Sequence, residues 1–119
     1  MLQTATVLFV LTALGGLLMA AIRFKTKQNP PAWLAMLHGL LAASGLTLLT
    51  YAVFTEAVPS MATLALVLFV VAAAGGAVMS LGYKWRQRLI PAWLVSVHAL
   101  LATLGFVLLL LAAYGDQMS

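Results

Sequence analysis

The sequence predicts an all-α integral membrane protein: an up-down four-helix bundle built from two tandem two-helix repeats related by a pseudo-two-fold axis along the membrane normal. Three observations carry this expectation. The 119 residues are 65% hydrophobic and only 7% charged, whereas a soluble domain carries about a quarter charged residues, so polar surface is too scarce to coat a water-soluble globule. Residues 4–22, 32–55, 57–83 and 89–115 contain no Lys, Arg or Asp. Each stretch has the roughly 20 residues needed to cross a hydrocarbon core of about 30 Å, and lipid admits only helices or closed barrels. Finally, the chain repeats itself without a gap at an offset of 60 residues: Pro31-Ala32-Trp33-Leu34 recurs as Pro91-Ala92-Trp93-Leu94, Gly15-Gly16 as Gly75-Gly76, and Val7-Leu8-Phe9-Val10 as Val67-Leu68-Phe69-Val70.

The first helix is expected near 4–23. Met1-Leu2-Gln3-Thr4 lacks the positive start of a signal peptide, and the run has a twin in the third helix, so it reads as a retained span. The second helix is expected near 32–54. Pro31 suits its first turn, where a missing N–H costs nothing, and Trp33 suits an interfacial anchor. The third is expected near 61–82 and the fourth near 91–114, with Pro91 and Trp93 in the same roles. Tyr51, Phe54 and Tyr114 fall at the opposite aromatic belt. The chain thus forms a single transmembrane domain, 1–119, with repeats 1–60 and 61–119.

All six basic residues lie in Arg23 and the loops 24–31 and 83–90, while Glu56 and Asp116 lie at the other end. Positive-inside bias places both basic loops in the cytoplasm and both termini outside, in a bacterial-type inner (plasma) membrane. The net charge of +4 reads as this orientation signal, and no nucleic-acid partner is expected. The absence of cysteine removes disulfides and thiolate metal sites.

His38 and His98 are the only two histidines, and they occupy equivalent repeat positions. Each lies seven residues inside a helix-starting proline, about 10 Å deep at 1.5 Å per residue. Gly15-Gly16 and Gly75-Gly76 lie about 12 Å from the same side, in the same layer. Ala42 and Gly45 follow His38 at i+4 and i+7, as Ala102 and Gly105 follow His98, so small residues stack on the imidazole face. Two readings stand. Gly16 with Ala20, or Gly76 with Ser80, forms a small-xxx-small packing pair, and a membrane histidine can simply bond a neighbouring carbonyl. Alternatively, the coincidence of glycine and histidine in both halves marks a ligand site, as polar residues within a membrane commonly do.

Two imidazoles on diagonal helices suit one metal. Zinc requires three or four protein ligands, and this chain would need a dimer to supply them. Haem iron needs only two axial ligands, and histidine is a common one. The glycine layer (Gly15, Gly16, Gly75, Gly76, Gly45, Gly105) would admit the flat macrocycle. The propionates would meet Arg23, Lys25, Lys84, Arg86 and Arg88 through charge-assisted bonds. Met19 and Met79, one turn past the glycines, read as core filling rather than ligands.

On His38 with Gly45 and His98 with Gly105, the chain resembles the membrane-embedded b-type cytochromes, whose four-helix bundles clamp haem between histidines of different helices. The resemblance implies His38 and His98 as axial ligands of haem b. Unlike the two-haem members, this chain has one histidine per ligating helix, which implies one haem.

A bis-His haem has no open position, which favours one-electron transfer over oxygen activation. Quinone, superoxide or a redox partner subunit are the expected electron partners, with a homodimer as an option. No catalytic residue pair is evident. The competing classes are a small four-helix transporter, which the chain resembles in size but without a membrane-embedded glutamate, and a non-redox accessory or assembly subunit of a respiratory complex.

Overall fold

The computed structural model describes residues 1–118, and side chains through Gly115; Asp116, expected beside Glu56 at the termini end, lies outside the described side chains. Four helices follow one another: α1 (Leu2–Thr26), α2 (Ala32–Thr55), α3 (Ser60–Ala77), which continues as a π-helical segment (Val78–Lys84), and α4 (Ala92–Met118). Each of the four is long and apolar enough to cross a membrane. The helices run further than the charge pattern suggested. α1 takes in Arg23 and Lys25 before Lys27 ends it at φ 56°, with its N–H on the Arg23 carbonyl. Gln87, 60 residues on, has φ 57°. There Gln87 bonds back to Lys84 and Arg88 to Tyr83, a Schellman closure. Pro31 sits one position earlier than expected: it is the N-cap of α2 rather than its first helical residue, with φ −61° and ψ 149°.

α1 pairs with α2 and α3 with α4, and the two hairpins meet along α1–α4 and α2–α3. Helices α2 and α4 are therefore diagonal. Large apolar side chains point away from the bundle on every helix: Leu17 is 68% exposed and Leu40 64%. In water such a surface would be untenable; in lipid it is the solvated face. Helical hydroxyls are satisfied locally, as lipid demands. Thr6, Thr12, Ser44, Thr47, Thr55, Ser96 and Thr103 each donate to the carbonyl four residues back.

The packed core lies toward the termini end. Ala5, Phe9, Leu49, Ala62, Ala65, Phe69 and Leu109 form one buried cluster. At its centre Phe9 and Phe69 stack nearly parallel, with centroids 4.0 Å apart and planes 4° off. Gly45 and Gly105 make the room: a Cβ on Gly45 would stand 2.9 Å from the Phe9 ring, and one on Gly105 3.2 Å from Phe69. Gly39, by contrast, has nothing within 4 Å.

The other end is held by polar contacts. Arg23 Nε donates to Ile90 O at 2.7 Å. Asn29 Nδ2 donates to Arg88 O at 2.7 Å, and Ile90 N donates to Asn29 Oδ1 at 3.0 Å. Lys84 Nζ donates to Pro30 O. Pro30 and Ile90 are buried equivalents in the repeat. Their carbonyls take Arg23 and Lys84, although the repeat partner of Arg23 is Tyr83. The π segment explains the offset, because a π turn takes about one residue more than an α turn and carries Lys84 round to the place Tyr83 would have had.

Gly45→Ala is expected to destabilise the protein by about 1–3 kcal/mol, since a stacked ring cannot retreat. Gly39→Ala should be neutral or stabilising by up to about 1 kcal/mol. Thermal denaturation of both variants in one detergent tests the contrast; equal melting temperatures would refute it.

Candidate functional site

The sequence brings two imidazoles to one depth, and the fold brings them to each other. The ring centroids of His38 and His98 are 6.3 Å apart, with planes inclined at 63°. Each ring is held by the first helix of its own hairpin: His38 Nδ1 lies 2.9 Å from the Thr12 carbonyl, and His98 Nδ1 2.7 Å from the Ala72 carbonyl. A carbonyl oxygen only accepts, so Nδ1 carries the proton in both rings.

The glycine pairs make this contact possible. In a helix the side chains at i+3 and i+4 lean back over the carbonyl of residue i. For Thr12 these residues are Gly15 and Gly16; for Ala72 they are Gly75 and Gly76. With no side chain there, the carbonyl is uncovered, and its second lone pair is free for an imidazole. The ring then lies against the glycines. A Cβ on Gly16 would stand 3.0 Å from His38 Cε1 and one on Gly15 3.8 Å from His38 Nδ1. In the other hairpin a Cβ on Gly75 would be 3.8 Å from His98 Nδ1, and one on Gly76 3.5 Å from His98 Cε1.

The structure places the residues expected to line a slot beside the rings as follows. Gly15, Gly16, Gly75 and Gly76 seat the imidazoles themselves. Gly45 and Gly105 lie in the phenylalanine layer, and the space they leave is taken by Phe9 and Phe69. Arg23 and Lys84, expected to meet anionic groups, each bond a carbonyl of the opposite loop. The sequence carried no signal for these loop contacts, since neither a lysine nor an arginine announces which carbonyl it will reach.

Around the histidines the bundle is loosely packed. Thr12 and Ala72 are buried on one side of this layer, and Pro30, Leu34, Ile90 and Leu94 on the other. Between them, over 13–29, 35–44, 73–89 and 95–104, no residue is buried. Both histidines, all four seating glycines, Met19, Met79, Ala42 and Ala102 are only half-buried. Among the described residues Nε2 of neither ring has a hydrogen-bond partner, and no buried side-chain nitrogen or oxygen is left without one. Each Nε2 lone pair is thus accessible within the layer rather than sealed by protein.

Chemically, the arrangement presents two imidazoles whose Nε2 atoms have no hydrogen-bond partner among the described residues. No group of three His, Cys, Asp or Glu residues is present among the described residues, so the protein alone does not supply the three or four ligands of a zinc site.

Because a Cβ would stand 3.0 Å from the ring at Gly16 but 3.5 Å at its equivalent Gly76, Gly16→Ala should displace His38 and disturb its bond to Thr12, while Gly76→Ala should leave His98 in place. Nitrogen-15 histidine NMR in detergent micelles reads this directly. Both rings should appear as the Nδ1–H tautomer in the parent protein, and only the His38 resonances should move in Gly16→Ala. An Nε2–H tautomer for either ring would overturn the assignment.

The chain matches no protein-family model, and no curated protein or solved structure is detectably similar to it.

Proposed function

We propose that the protein is a membrane haem-b protein in which His38 and His98 would hold one haem iron and the bound group would serve one-electron transfer. The observation that carries this reading is the pair of uncommitted Nε2 atoms on rings 6.3 Å apart. Rings at that spacing are close enough for both to reach one metal centre, at metal–nitrogen bonds of about 2 Å each. The residues fit the group in two further respects. A ligating histidine commonly donates its other N–H to a backbone carbonyl, which fixes the tautomer and raises ligand basicity, and both rings do so. The loosely packed histidine layer lies between the hairpins, where a flat macrocycle clamped by both rings would sit.

When bound, the haem supplies a reversible one-electron couple with no open coordination position. The chain's own residues do the rest. The Thr12 and Ala72 carbonyls hold a proton on each Nδ1, which leaves Nε2 as the nitrogen each ring would offer to the iron. The glycine pairs let the rings sit flush against α1 and α3. The phenylalanine stack closes the layer toward the termini. At the opposite end Arg88, Lys25 and Lys27 would remain for propionates, since Arg23 and Lys84 already serve loop carbonyls. In this reading the repeats would be related by a pseudo-two-fold axis along the membrane normal. The basic loops face the cytoplasm of a bacterial-type inner membrane. Quinone, superoxide or a redox subunit is the electron partner, with a homodimer as one assembly.

A second reading is a non-redox accessory subunit in which the rings only brace the hairpins. The Nδ1 bonds favour it equally well; the two accessible Nε2 atoms without a partner favour the haem reading, because they leave one ligating nitrogen free on each ring.

Protein produced with ample haem should purify as a red species with sharp visible bands on dithionite reduction and one haem per chain. His38→Ala or His98→Ala should abolish the low-spin spectrum, and Gly39→Ala should retain it. Imidazole planes inclined at 63° should give the oxidised protein a highly anisotropic low-spin EPR signal rather than the rhombic signal of parallel planes. Colourless protein at full haem supply would leave the accessory reading standing instead.

A further inference from the structure

The repeat supplies an internal control: where its two halves differ, one half does something the other does not. The largest structural difference is the π segment, Val78–Lys84; its counterpart, 18–24, is ordinary α-helix. Along it runs a shallow groove on the outer face, lined by Ala77, Val78, Leu81, Gly82 and Arg86. The matching positions in α1 are Leu17, Leu18, Ala21, Ile22 and Thr26. The second half thus loses bulk at 77, 78 and 82 and gains a guanidinium at 86, while Leu81 adds a wall. Nothing obstructs the floor, since a Cβ on Gly82 would meet only Val78 Cγ1, at 3.8 Å. Arg86 is exposed, and Trp85 beside it is 81% exposed. Among the described residues Arg86 has no hydrogen bond or ion pair, whereas Arg23 and Lys84 are engaged by carbonyls.

We propose that this groove binds one anionic phospholipid, an acyl chain lying along Ala77, Val78 and Gly82 and the phosphate held by Arg86. From Ala77 to Arg86 the groove covers on the order of 12 Å of helix, which suits an upper acyl chain with its headgroup. Charge complementarity selects the headgroup. Every charged residue of the two loops is basic, and both acids of the chain are placed elsewhere in the sequence, at 56 and 116. A guanidinium matches a phosphate in planar, two-point fashion, and π segments recur at functional sites. The proposal is independent of whether haem is bound.

The test is native mass spectrometry of delipidated protein in a maltoside detergent, offered phosphatidylglycerol and phosphatidylcholine in equal amounts. Phosphatidylglycerol should be retained over phosphatidylcholine by about fivefold, the preference one juxtamembrane basic residue confers. Arg86→Gln should bring the ratio to near one, Arg86→Lys should keep most of it, and Gly82→Leu should reduce retention of both lipids by filling the groove. The double substitution Lys25→Gln with Lys27→Gln should leave the ratio unchanged. An unchanged ratio in Arg86→Gln would overturn the proposal, as would its loss in the Lys25 and Lys27 variant. Displacement of the lipid by an isoprenoid benzoquinone regardless of the residue at 86 would mark a quinone site instead and also overturn it.

Discussion

The hydrogen bond from an imidazole to a bared helix carbonyl is the contact on which the rest of this structure depends. It occurs twice, between α2 and α1 and between α4 and α3. Each instance requires three things at once: a histidine at one depth, a carbonyl at the same depth, and two glycines at i+3 and i+4 from that carbonyl. Interhelical polar contacts in membranes are worth only about 0.6–2 kcal/mol each, so the bond does little for overall stability. Its larger effect is geometric. It sets ring rotation and proton position, and through them where the second nitrogen is available.

Two quite different clamps hold the hairpins at the spacing this requires. Toward the termini, Phe9 and Phe69 stack across the hairpin boundary, with Gly45 and Gly105 clearing the space. Toward the basic loops, the clamp is polar: Asn29 engages Arg88 and Ile90, while Arg23 and Lys84 reach the opposite loop's carbonyls. The histidine layer lies between them, and its residues are at most half-buried.

The basic loops consequently divide their labour. Two cations are used within the fold as donors to carbonyls, and the others remain exposed. That division follows from the π segment, which shifts the register of α3 and brings Lys84 rather than Tyr83 to the loop contact. The same departure opens the outer groove ending at Arg86, so one local irregularity accounts for both the closure of the bundle on one side and an amphipathic recess on the other.

The sequence by itself determined the number of spans, their order, the repeat, and the depth of every notable residue, because position along a helix is linear in residue number. The coincidence of His38 and His98 with the glycine pairs in one layer was legible for that reason. Azimuth was not. These helices are apolar on every side, so no amphipathic stripe announces which face turns inward, and the partners of each residue had to come from packing. Only the tertiary structure decided that Gly15, Gly16, Gly75 and Gly76 seat imidazoles while Gly45 and Gly105 face phenyl rings, and that the rings approach to 6.3 Å. It alone also decided that Arg23 and Lys84 spend themselves on loop carbonyls, for those contacts join residues more than 50 positions apart whose pairing depends on how two hairpins dock.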